Sequence, residues 1–177
     1  ASSSALRARI FSSRLLARPL FPQRRRTRLP LANYARSGNL CSITVAVDDR
    51  RPVFSHRDVA ADAVDVLKAH ARKTGVLVYA YCVMPDHVHL VLEASATCDI
   101  VTFVGQFKNL AQRAAWRRGV DGVFWQTGFY DHFLRREEQL ETVVRYVVEN
   151  PVRAGLVHAS QDYPFAGSLV LAVTPDD

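Results

Sequence analysis

Two histidines separated by one valine, His87-Val88-His89, lie inside the run YCVMPDHVHLVLE. On a strand, residues two apart point to one face, so both imidazoles are presented together while Val88 and Leu90 turn into apolar material. Adjacent imidazoles on one face can take a divalent metal. The plain alternative is two strand histidines that hydrogen-bond locally on an open sheet face. Pro85-Asp86 directly precedes His87 and puts the pair near a sheet end. Three chemistries begin with such a pair. Histidine-triad nucleotide hydrolases need a third histidine where this chain has Val91, so their nucleophile is missing. A zinc hydrolase site wants a third His or a carboxylate. Strand parity does not place Asp86 beside the pair, and Glu93 lies about 13 Å beyond His89 along the strand. The third option draws its remaining ligand from elsewhere in the chain.

A second constellation sits on the segment from Glu137 to Asn150, whose Leu140, Val143, Val144, Val147 and Val148 form one apolar stripe at about 100° per residue. Tyr146 and Asn150 are four positions apart, stacked on one side of that stripe. A phenol and an amide oxygen are thus presented together at the edge of the buried face. Taken singly, Tyr146 reads as a boundary tyrosine and Asn150 as a helix terminator before Pro151.

These groups need a frame. Cys41 to Val47 alternates as a strand, and Asp48 to Pro52 is a turn. Arg57 to Thr74 has helical spacing, with Ser55 as a candidate cap and Gly75 as its stop. Val76 to Met84 and His87 to Glu93 form a hairpin about Pro85-Asp86. A helix is expected from Asp99 to Arg118, a short strand over Phe129 to Leu134, and then the helix ending at Pro151. The tail reads as irregular. The order β-α-β-β-α-β plus a helix predicts an α+β, ferredoxin-like antiparallel sheet with an added C-terminal helix.

The charge is lopsided. The net charge is +6, yet residues 1 to 47 hold nine arginines and no acid, and the remainder holds 14 basic residues against 17 acidic ones. Residues 1–32 read as a loose basic arm. A phosphate-seeking tail fits it, as do a transit peptide and a non-native extension, since the chain does not begin with Met. Arginine outnumbers lysine 20 to 3, which a GC-rich genome also produces. With 49% apolar and 23% charged residues, the chain is neither wholly disordered nor built of membrane spans. Cys41, Cys82 and Cys98 are widely spaced and odd in number, which disfavours a disulfide framework or a cysteine-built zinc site and fits a reducing, cytoplasmic setting.

HVH preceded by VMPD, then FWQTGFYDHFLR, then YVVENPVRAGL, in that order, resembles the single-tyrosine HUH transposases, most closely the REP-associated tyrosine transposase branch. The resemblance spans about Asn33 to Pro164. It implies that Tyr146 is the nucleophile toward a phosphodiester of single-stranded or hairpin DNA. It further implies that His87, His89 and Asn150 ligate Mg²⁺ or Mn²⁺, and that the product is a 5′-phosphotyrosine with a free 3′-hydroxyl. A phenol has a pKa near 10 and is a poor nucleophile until activated. Oxygen-preferring Mg²⁺ is less natural than Mn²⁺ beside two imidazoles. The branch suggests a monomer, working in the cytoplasm at the nucleoid.

Expected DNA contacts are Lys108, Arg113, Trp116 and Arg117 around the second helix, and Arg153 after NPV; Arg118 lies beside them. An exposed Trp116 would stack on an unpaired base or else cover the Gly119–Gly122 turn. Tyr130 and His132 share a strand face and approach the site. Trp125 and Gln126 match the family pattern without a physical role beyond packing. The expected division is an arm over 1–32, a transposase domain over 33–166 and a tail over 167–177. The alternative is a domesticated protein that binds hairpin DNA without cutting it; a water-using phosphoesterase is more remote.

Overall fold

The computed structural model describes residues 30, 32–134 and 140–170; residues 1–29 and 31 of the arm expected over 1–32, and the start of the helix expected from Glu137, lie outside them. A short helix α1 (Ala32–Ala35) precedes β1 (Leu40–Ala46). Then follow α2 (Arg57–Thr74), β2 (Leu77–Met84), β3 (His87–Glu93), α3 (Ile100–Arg117), β4 (Tyr130–Phe133), α4 (Leu140–Val148), α5 (Asn150–Arg153) and β5 (Ala166–Gly167). The five strands form one antiparallel sheet in the order β4-β1-β3-β2-β5. The first four reproduce the expected ferredoxin-like arrangement.

Two apolar layers explain the sequence alternation. Ile43, Val45, Val88, Leu90 and Leu92 turn to one face, where they bury Leu67 of α2 and Phe103 and Phe107 of α3. Burying each such side chain contributes about 1.5–3 kcal/mol. Ala80, Cys82, Met84 and Val91 turn to the other face and meet Val143, Val144, Val147 and Val148 of α4. Strand parity assigns His87 and His89 to the α4 face, with Val91. The helix α4 packs on β2, β3 and β5. On the α4 face of β1 and β4, Ser42, Thr44, Tyr130 and His132 are half-buried or exposed.

Local expectations fail in instructive places. Ser55 does not cap α2. The chain makes a 3₁₀ turn over Val53–Ser55 first, and the helix starts from His56 with no side-chain cap. Gly75 does end α2, in the left-handed region at φ 71°, with its N–H on the Ala71 carbonyl. Asp99 caps α3 by accepting from the Thr102 N–H. The helix expected to run to Asn150 ends at Val148, and a second short helix follows at once. Glu149 keeps φ −83° and ψ −2°, and Pro151 enters the first turn of α5, where its missing N–H costs nothing. The tail is not irregular throughout, since Ala166–Gly167 adds a strand to the edge of β2. Tyr163 Oη also donates to the Val83 carbonyl at 2.7 Å.

Candidate active site

The hairpin turn puts the histidines in place. Its Asp86 carbonyl accepts from the Val47 N–H at the end of β1, and its Pro85 carbonyl accepts from the Phe54 N–H. The first ring, His87, is thereby held at the sheet end. Across the strands, Thr44 of β1 and Cys82 of β2 both pair with His89, and Tyr130 of β4 pairs with Thr44 on its other side. His89, Thr44 and Tyr130 therefore lie in one lateral row on one face.

The two imidazoles meet edge to face, their centroids 4.6 Å apart, with Nε2 of His87 2.9 Å from Nε2 of His89. Each Nδ1 is held from behind. The Asp86 carboxylate lies 2.5 Å from His87 Nδ1, and Thr44 Oγ1 lies 3.0 Å from His89 Nδ1. A carboxylate only accepts, so His87 carries its proton on Nδ1 and turns a lone pair out at Nε2. A hydroxyl both donates and accepts, so Thr44 supports either tautomer of His89. Burial lowers the pKa of His87, partly offset by Asp86. Burial, then the charges of His87, Arg153 and Arg50, lower that of His89 to about 3. Both rings are neutral near pH 7, the form that binds metals.

Asp86, which strand parity had set aside, is thus a partner of the pair from behind. Its other oxygen accepts from Arg50 at 3.2 Å. Asp49 and Arg50 stand at φ 52° and 53°, a conformation uncommon for residues other than glycine, and it carries the guanidinium to Asp86. Two converging imidazole Nε2 atoms with oxygen partners behind both rings fit a divalent cation once neither Nε2 carries a proton. Among the described residues, no group of three His, Cys, Asp or Glu completes such a site, so a third ligand drawn from them is of another type. If the pair does hold a metal, Asp86→Ala is expected to weaken Mn²⁺ binding about 10- to 100-fold; titration of free Mn²⁺ checks this, and unchanged affinity contradicts it.

Above the same sheet face, α4 and α5 carry Tyr146, Asn150 and Arg153. Pro151 cannot donate to the Val147 carbonyl one turn back. The Asn150 side-chain amide donates there instead, at 3.3 Å. That bond turns Oδ1 outward, where it accepts from Arg153 at 3.0 Å. The same guanidinium donates to the Tyr146 carbonyl, lies over the Tyr146 ring at 3.8 Å and reaches Glu149 at 3.5 Å. A cleft of about 320 Å³ is lined by Glu141, Thr142, Arg145, Tyr146, Glu149 and Arg153. The Arg153 charge acts on both His89 and Cys82. That charge thus ties the helix electrostatically to the histidine pair.

The other expected contacts lie elsewhere. Arg113, Trp116 and Arg117 are on α3, the layer against the opposite sheet face. Trp116 is 48% exposed and its indole donates to the Gly122 carbonyl at 3.4 Å, so it covers the glycine turn while leaving a free face. Arg118 is paired with Asp62 at 2.7 Å. Lys108 donates to the carbonyls of Gln126 and Gly128 at 2.8 and 2.9 Å and so ties α3 to the loop before β4. Trp125 and Gln126 have physical roles: Trp125 is buried and donates to the Lys108 carbonyl, and Gln126 N–H bonds the Ala46 carbonyl, extending the β1 edge. The positioning roles of Thr44, Asp86 and Arg50 escaped sequence reading. The Asp in VMPDH was the one available signal.

Comparison with known proteins agrees with this frame. Residues 39–150 match the family model described as Transposase IS200 like. A Haemophilus influenzae protein named for the REP-associated tyrosine transposases is 26% identical over 153 residues, covering 77% of this chain and 85% of its own. The REP-associated tyrosine transposase of Escherichia coli is 26% identical over 87 residues, covering 49% and 51%. The solved structure of a REP-associated tyrosine transposase bound to a REP hairpin shares the fold, with TM-score 0.59 over 82% of each chain at 20% identity. With more than half its length under one family model, the chain belongs to the IS200-like transposase family.

Proposed function

We propose that this chain nicks and rejoins single-stranded DNA at hairpin-forming repeats through a 5′-phosphotyrosine intermediate. The observation that carries the reading is the convergence of the His87 and His89 Nε2 atoms, 2.9 Å apart, on the sheet face covered by the helix of Tyr146. The half-buried Tyr146 borders an open cleft. In the proposed step Tyr146 Oη attacks phosphorus and loses its proton. The 3′ oxygen leaves and takes up a proton, giving a phosphotyrosine and a free 3′-hydroxyl. A 3′-hydroxyl attacking in the reverse sense restores a phosphodiester and frees the tyrosine, so no nucleotide cofactor is required.

His87, His89 and the Asn150 Oδ1 would hold the Mg²⁺ or Mn²⁺ that family membership suggests. When bound, such a cation supplies charge neutralisation and orientation at the scissile phosphate. Asp86 and Thr44 fix the imidazoles. Tyr130, 49% exposed in the row with Thr44 and His89, offers a ring on which an unpaired base can stack. The domain acting this way is residues 33–166, as a monomer. Among the described residues no helix is long and apolar enough to cross a membrane.

The test is incubation of the full chain with a labelled hairpin oligonucleotide and Mn²⁺, followed by a denaturing gel. A protein–DNA adduct is expected. Shifted but intact DNA would instead make the chain a binding protein, and cleavage without adduct a water-using phosphoesterase. If residues 1–32 seek phosphates, their deletion should weaken affinity for every sequence and flatten its salt dependence. An unchanged slope in binding measured across salt concentrations would dismiss that role for the arm.

A further inference from the structure

We propose that Arg153 couples loading of the metal site to the arrival of a DNA phosphate: without DNA its guanidinium holds the Asn150 oxygen that a metal would take, and a phosphodiester entering the cleft draws the guanidinium away. The inference rests on the reading above, with His87, His89 and Asn150 as ligands.

Two observations carry it. First, Asn150 Oδ1 is already committed, accepting from Arg153 at 3.0 Å, and the bond from Nδ2 to Val147 keeps that oxygen turned toward Arg153 rather than freeing it by an amide flip. Second, Arg153 keeps about a third of its side chain exposed and its acidic partner Glu149 is loose, at 3.5 Å. A guanidinium so placed exchanges a weak carboxylate contact for the bidentate bonds that its planar fork forms with phosphate. Such an exchange releases Oδ1 and uncovers the Tyr146 ring in one movement. Coupling of this kind is reciprocal, so DNA tightens metal binding by the factor with which metal tightens DNA binding.

The test uses the full chain carrying Tyr146→Phe, which keeps the ring under Arg153 and leaves DNA uncut. Free Mn²⁺ is titrated by its electron paramagnetic resonance, with and without a hairpin oligonucleotide bearing a single-stranded extension. Adding Arg153→Met should tighten Mn²⁺ binding about tenfold in the absence of DNA, as a competing charged hydrogen bond is removed. DNA should then raise the Mn²⁺ affinity of the parent several-fold and that of the variant little. Equal affinities without DNA, or an equal DNA effect in both proteins, overturn the coupling while leaving the metal site standing. A parent that binds no Mn²⁺ with or without DNA overturns the ligand assignment, and the coupling with it. Should Arg153→Met lose the parent's melting transition, Arg153→Lys keeps the charge without the planar fork. Its DNA effect should fall between the two, and one equal to the parent's overturns the proposal.

Discussion

Replacing Tyr146 with Phe is expected to abolish the covalent protein–DNA adduct, a fall of at least about a thousandfold in strand cleavage, while DNA binding and Mn²⁺ binding persist. The substitution removes one oxygen and keeps the half-buried ring beneath Arg153, so the melting temperature should hardly move. The other tyrosines are placed to make this test specific. Tyr34 is fully buried and donates to Asp131 at 2.8 Å. Tyr79 donates to Glu93 at 2.9 Å. Tyr81 is buried, and burial raises its pKa. Tyr163 donates to the Val83 carbonyl, and burial pushes its pKa up to about 12. Tyr130 alone among them is exposed on the face of the histidine pair. Tyr130→Phe keeps a stacking ring and is expected to retain adduct formation. Loss of adduct in Tyr130→Phe with retention in Tyr146→Phe, read on the same denaturing gel, would reverse the assignment.

The second large effect is expected at the histidines. His87→Ala or His89→Ala should reduce metal-dependent cleavage by at least about a hundredfold, with hairpin binding largely intact. The two variants should differ in stability. Loss of the His87 ring leaves Asp86 still paired with Arg50, whereas loss of the His89 ring leaves the half-buried Thr44 hydroxyl without this partner and removes the more deeply buried of the two rings. Thermal melting should therefore show the larger drop for His89→Ala. Full cleavage by both single variants, measured against wild type at equal Mn²⁺, would remove the metal-site reading.

Much of the frame was legible because strand alternation and helix spacing answer to burial. The helix over Arg57–Thr74 and the strand His87–Glu93 fall where the pattern puts them, since both present an uninterrupted apolar face to the core. The edges were harder to read. The β5 strand, Ala166–Gly167, has no alternation of its own. It exists because the β2 edge is open and because Gly167 tolerates the Tyr81 hydroxyl, 3.1 Å from where a Cβ would stand. Pro151 misled for a local reason. It ends a helix by rule, yet here it enters the first turn of the next, and the carbonyl it leaves unpaired is what orients Asn150. At the site, the shared face of His87 and His89 followed from parity alone. The partners Asp86, Thr44 and Arg50 depended on the turn conformation and on cross-strand register, neither of which the residue types display.

The most direct measurement is to digest the covalent adduct formed by the wild-type chain on a hairpin oligonucleotide and to find by mass spectrometry which peptide carries the nucleotide. The account predicts a 5′-linked nucleotide on Tyr146. A nucleotide on Tyr130 or any other residue, or the absence of any adduct while the DNA is cut, contradicts it.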